Sequence, residues 1–135
     1  MAVDVDKLLE PVSEAEPCGP NLEYDPAFTE IERLTQEVPE QQYGDTIIPA
    51  KEPDWAAVKE GCLELFGRTK DLRVAVHLLR ATRRVGGLVE FCDLLRVVEG
   101  FVERYWATLH PQLDPDDDND PTTRVNCLAA LCDTP

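Results

Sequence analysis

Residues 70–85, KDLRVAVHLLRATRRV, carry apolar side chains on most sides, with Leu72, Val74, Ala75, Val76, Leu78, Leu79 and Val85 leaving only a narrow polar strip. A helix with so little polar surface belongs at the centre of a core. Gly86-Gly87 breaks it. Toward the C-terminus, Leu88 to Leu109 gives the longest helical pattern, with Leu88, Phe91, Leu95, Val98, Val102, Tyr105 and Trp106 at helical spacing and His110-Pro111 as its stop. After the acidic run DPDDDND (114–120), Asp120-Pro121 opens a last helix through Val125, Leu128 and Leu131, because a carboxylate caps free amides and proline suits the first helical position.

Toward the N-terminus, Asp54 caps a helix lined by Trp55, Val58, Cys62, Leu65 and Phe66, with Gly67 near its end. Asp25-Pro26 starts another, carried by Phe28, Ile31, Leu34 and Val38 and stopped by Pro39. Val5, Leu8 and Leu9 suggest one short turn ending near Pro11. Between these lie two long loops. Residues 10–25 hold three prolines and Gly19, with Leu22 and Tyr24 as expected anchors. Residues 39–53 contain Tyr43-Gly44-Asp45 and the apolar trio Ile47, Ile48 and Pro49, which is expected to pack down. The expected fold is all-α: a compact helical domain of about five main helices with long proline-rich loops, spanning 1–135 as one domain.

The 135 residues carry 27 acids and 13 bases, for a net charge of −14. Residues 1–54, 55–113 and 114–135 net −11, +2 and −5. So acidic a chain repels nucleic-acid phosphates and anionic lipid surfaces, so no nucleic-acid partner is expected. No stretch approaches the length of apolar sequence that spans a bilayer, and the start, MAVDVDK, lacks the basic-then-apolar order of a secretion signal. A cytoplasmic location without membrane insertion is therefore expected. Cys18, Cys62, Cys92, Cys127 and Cys132 contain no CxxC pair and are expected to be reduced, mostly buried small hydrophobes.

The run 114–120 invites a calcium reading, but the register fails. Started at Asp114, an EF-hand loop needs glycine and glutamate where Asn119 and Val125 stand; started at Asp116, those places hold Pro121 and Cys127. An acidic regulatory or metal-responsive module using this loop is the alternative function; a solvated loop capping the last helix is the simpler account. His77 and His110 share no short ligand spacing with a cysteine, and no base can be placed beside a thiol, so neither a metal, a cofactor nor an enzymatic site is expected. The most informative charged feature is Arg73, His77, Arg80 and Arg84, spaced along one helix face and flanked by Lys70 and Arg83. The stripe either pairs with the acidic loops of its own domain or faces an acidic partner.

Three stretches in order, PCGPNLEYDP (17–26), EQQYGDTIIPAKEPDW (40–55) and RYWATLHPQLDPDDDNDPTTRVNCLAAL (104–131), together resemble the ImpA-related N-terminal domain of TssA-like proteins of the bacterial type VI secretion system. TKDLRVAVHLLRA (69–81) is similar to that family as well, so the resemblance runs from about Leu8 onward. It implies a non-enzymatic assembly protein of a contractile machine, with partners among baseplate, membrane-complex, sheath and tube proteins. It also implies that ring formation belongs to a C-terminal region outside this chain, which is expected to be a fragment of a longer protein. Expected partner-binding residues are Arg73, His77, Arg80 and Arg84 on the stripe, with Tyr43 and Asp45 in the second loop. Tyr24, Tyr43, Tyr105 and Trp106 either serve binding or close the core over the helix ends.

Overall fold

Asp71 has no exposed surface, and its carboxylate accepts a hydrogen bond from the Arg73 amide at 2.8 Å, which caps helix α4, Leu72–Val85. The apolar sides of α4 are covered by α3 (Trp55–Phe66), α5 (Leu88–Tyr105) and α6 (Thr122–Ala129), so the element with the least polar surface is the centre of the fold. Helix α2, Pro26–Leu34, lies on α3, and the single turn α1, Val5–Leu8, lies on α5. The computed structural model describes residues 4–36 and 40–132; Val38 and Pro39, expected to finish α2, and the side chain of Cys132 lie outside the described residues. Among the described residues, five helices have eight or more residues and none is long and apolar enough to cross a membrane.

The capping carboxylates of α2 and α3 act as their positions suggest. Asp25 accepts from Ala27 N at 2.9 Å and Asp54 from Ala57 N at 3.2 Å. Asp120 departs from the expectation: α6 begins at Thr122 with Pro121 at its N-cap and no side-chain cap, and the Asp120 carboxylate accepts from Thr122 N at 2.9 Å in the turn that leads into it. The core joins Phe28 and Ile31 of α2, Val58, Cys62 and Leu65 of α3, Leu78 and Leu79 of α4, and Leu94, Val97 and Phe101 of α5. Phe66 and Phe101 meet edge to face, 5.7 Å between centroids.

Five expectations need correction. The segment expected to be an irregular loop forms a hairpin, β1 (Gln41–Tyr43) against β2 (Thr46–Ile48), with Gln41 opposite Ile48 and Tyr43 opposite Thr46. Gly44, at φ +61°, takes the first place of the two-residue turn, where a positive φ matches the twist of the strands. Ile47 and Ile48 do not pack down: every residue of both strands is exposed. Helix α5 stops at Tyr105 rather than Leu109, because the Thr108 and Leu109 amides turn back onto the Tyr105 carbonyl and His110 leaves to pair with Asp71. The buried face of α5 is Leu94, Val97, Val98 and Phe101; Leu88, Leu95 and Trp106 point outward, and Cys92 is exposed. Tyr24 does not anchor its loop, being 91% exposed, whereas Leu22 packs against the core. Cys18, Cys62, Cys92 and Cys127 are free, and burial pushes the Cys62 thiol up to about 12.

Residues 17–20 are strapped to the start of α4 and to the end of the α5 loop. The Cys18 carbonyl accepts from the Lys70 amide at 2.7 Å and from the Thr69 hydroxyl at 3.1 Å, and that hydroxyl also reaches the Pro20 carbonyl at 2.7 Å. Leu72 N donates to the His110 carbonyl at 2.8 Å, while His110 Nε2 lies 2.8 Å from the Gly19 carbonyl. Gly19 is at φ +71°, and a Cβ there would stand 2.2 Å from the Arg68 carbonyl oxygen. Conformation and space both require glycine. Gly44 shares the positive φ but has nothing within 4 Å of such a Cβ. Gly19→Ala is therefore expected to cost roughly 2–4 kcal/mol and Gly44→Ala only about 1 kcal/mol. Urea unfolding of the two variants measures the contrast; equal losses would mean that the strap yields without cost.

Candidate docking surfaces

The acidic run, the arginine stripe and the second loop are placed very differently by this scaffold. Asp114 is consumed by local turns: its carboxylate accepts from Asp116 N and its carbonyl from Asp117 N and Asn119 N, while Asp118 and Asn119 take left-handed backbone at φ 53° and 55°. Asp120 is held by Thr122. Among the described residues, no group of three or more His, Cys, Asp or Glu side chains is gathered to hold a metal ion.

The stripe on α4 divides into two halves. Arg73 is tied down, with Nη2 2.7 Å from Asp71 Oδ2, Nη1 3.3 Å from Glu23, and its guanidinium 5.1 Å from the centre of the Phe28 ring. It braces the first long loop against the start of α4. Arg80 and Arg84 have no carboxylate within 4 Å among the described residues, and both guanidinium groups lie over Trp55, at 5.4 and 5.9 Å from the ring. They shield the indole while keeping their charge available. Lys70, a flanking member of the stripe in sequence, is instead 2% exposed and points away from it. Its ammonium donates to the Leu8 carbonyl at 2.9 Å and sits 5.3 and 5.5 Å from the Phe101 and Tyr105 rings. Burial lowers its pKa.

Tyr105 resolves to a structural role, since its hydroxyl donates to the Leu9 carbonyl at 2.6 Å. Trp106 is covered on one face by Arg124, 4.6 Å from its ring. Arg124, 1% exposed, was not singled out by the sequence patterns, yet it donates to the carbonyls of Trp106, Leu109 and Pro111. A charged residue inside a helix pattern signals solvent in hydropathy, and no local spacing marks it as a core donor.

Tyr43 stands on the exposed hairpin, its hydroxyl 3.1 Å from Gln41 Oε1, and Asp45 occupies the turn beside Gly44. The surface around β1 and β2 thus presents Tyr43, Ile47 and Ile48 to solvent. Between the end of α2 and the entry to α3, immediately after the hairpin, a cleft of about 360 Å³ is lined by Leu34, Lys51, Pro53 and Asp54.

His77 lines a smaller cavity of about 170 Å³ with Glu32, Arg80 and Cys127. Its Nδ1 is buried without a hydrogen-bond partner. Burial, reinforced by the positive charge of Arg80, lowers its pKa from 6.5 to about 4. Between those values the unfolded chain takes up a proton that the folded domain refuses. The stability that neutral His77 secures is full above about pH 6.5 and is lost as pH falls toward 4, with a ceiling of about 3 kcal/mol. His77→Gln is expected to flatten the decline of melting temperature over this window. Unchanged slopes in the two proteins would place the acid sensitivity elsewhere.

Similarity to known proteins agrees with this geometry. Residues 9–133 match the family described as ImpA, N-terminal, type VI secretion system. Over 133 residues the chain is 48% identical to type VI secretion system component TssA1 of Pseudomonas aeruginosa, covering 98% of this chain and 39% of that protein. A solved N-terminal domain including the conserved ImpA_N region of the TssA component from Burkholderia cenocepacia superposes with a TM-score of 0.76 at 32% identity, covering 97% of this chain and 47% of that one. The chain spans less than half the length of either relative. With nearly all its residues inside the matched region, helices α2 to α6 and the straps included, the chain belongs to the ImpA N-terminal family of the type VI secretion system.

Proposed function

We propose that this domain is a non-enzymatic docking module that holds components of the secretion machine together in the cytoplasm. Its partners are baseplate, membrane-complex, sheath or tube proteins, and assembly into rings belongs to the additional length of its relatives. The observation that carries this reading is the hairpin, a segment of the family-like stretch 40–55 whose six strand residues are all exposed, with Tyr43, Ile47 and Ile48 facing solvent. These apolar and aromatic side chains stay 43–64% exposed and join no core cluster of their own domain. They do bury surface against a partner. Arg80 and Arg84 supply a second contact for acidic groups, with their charges unpaired within the described residues.

Calorimetry of the domain against purified baseplate, sheath, tube and membrane-complex proteins tests the proposal. Tyr43→Ala with Ile47→Asp is expected to keep the melting temperature, because these side chains support no core contact, and to lose tenfold or more in affinity for the bound component. A variant that binds as tightly as the wild type would remove the hairpin from the contact. Arg80→Glu with Arg84→Glu is expected to weaken binding in a salt-dependent way, and to cost about 1–2 kcal/mol of stability through the uncovering of Trp55. Loss of binding only in parallel with unfolding would instead assign these arginines to the fold.

A further inference from the structure

Helix α5 is apolar on two sides, and only one of them is used. Leu94, Val97, Val98 and Phe101 enter the core. On the opposite side, Leu88, Cys92, Leu95, Glu99, Val102 and Trp106 follow one another at intervals of four, three, four, three and four residues. Alternating steps of three and four are the seam of a coiled coil, in which every such residue faces a neighbouring helix. The seam extends about 27 Å along the helix at 1.5 Å per residue. Among the described residues no helix packs along it: Leu88 is 78% exposed, Leu95 and Trp106 are each 40% exposed, and Cys92 and Glu99 are exposed as well, while Val102 is partly covered and Arg124 lies over one face of the Trp106 ring. Val85, at the end of α4, and Val89 widen the apolar surface at its beginning.

We propose that this seam is the docking site for an amphipathic helix of a partner protein, apolar at coiled-coil spacing and flanked by lysine or arginine. The charges select that partner. Glu99 interrupts the apolar seam and Glu103 borders it; among the described residues neither has a cation within 4 Å. Basic residues on the incoming helix neutralise both. A second copy of this chain does not. Packed in parallel, it sets Glu99 against its own counterpart; packed antiparallel about the middle of the helix, it sets Glu99 against Leu95 and brings Arg96 toward the other Arg96. Two chains of net charge −14 add a general repulsion. The site is separate from the hairpin in sequence and in chemistry, and its occupancy does not depend on the docking role proposed for Tyr43.

The probe is a synthetic 21-residue helical peptide with leucine at the coiled-coil seam and lysine at the flanking positions; the control peptide carries glutamate at each of those lysines. Fluorescence anisotropy with the whole chain is expected to show the lysine peptide binding at least tenfold more tightly than the control. Leu95→Glu is expected to weaken it tenfold or more. That variant separates a seam from simple attraction to an acidic protein, since an added carboxylate strengthens simple attraction. Its melting temperature is measured alongside, and Leu88→Glu, at a more exposed position, serves as a second variant. Tyr43→Ala is expected to leave peptide binding unchanged. Absence of binding, equal binding of the two peptides, or tighter binding by Leu95→Glu overturns the proposal. Sedimentation of a wild-type dimer that Leu95→Glu dissociates would assign the seam to a second copy and overturn it as well.

Discussion

Two buried cations without ion-pair partners hold this fold together. Lys70 and Arg124 are almost wholly enclosed, and neither has a carboxylate within 4 Å among the described residues. Removing such charges from water is tolerable only where other polar groups replace the lost hydration. Main-chain carbonyls and aromatic faces do so here. Lys70 has the Leu8 carbonyl and the rings of Phe101 and Tyr105; Arg124 has the carbonyls of Trp106, Leu109 and Pro111 and the ring of Trp106. The first cation joins α1 to the end of α5, and the second joins α6 to the loop that leaves α5. Long irregular segments are thereby fixed on a helical frame that apolar packing alone would leave open at its ends.

With its loops fixed, the domain can leave other surfaces uncommitted. Arg73 spends its charge on Asp71 and Glu23, whereas Arg80 and Arg84 rest on Trp55 and keep theirs. The hairpin contributes hydrogen bonds to itself and little apolar surface to the core. Its backbone is ordered by pairing across the Gly44 turn, so its outward side chains are presented without being part of what keeps the helices together. Separation of supporting and presenting residues is what the docking role proposed for this domain requires.

How much of this was legible in the sequence depended on whether the signal was local. The central place of α4 followed from its apolar sides, and Asp25 and Asp54 announced their helices by capping chemistry that acts over three residues. The working face of α5 was misread because both of its sides are apolar, and periodicity does not say which one the rest of the chain covers. The hairpin escaped because strands of three residues are too short to show alternation. Lys70 and Arg124 escaped for a different reason: their partners are carbonyls many residues away, and hydropathy counts every lysine and arginine as surface. At the stripe, spacing placed Arg73, His77, Arg80 and Arg84 on one face, but the division between brace and free charge depends on where Glu23 and Trp55 arrive in space.

The reliance of Arg124 on main-chain oxygens bears on how such a domain can diverge. A carbonyl is the same group whatever side chain its residue carries, so substitutions at Leu109 leave the acceptor itself intact. The insertion or deletion of a single residue between 106 and 111 is another matter, since it would displace three acceptors from one rigid guanidinium at once. Loop length is thus under a tighter physical constraint than loop composition. A lineage built on this lock is free to vary its outward side chains while the path of the backbone beneath stays the same.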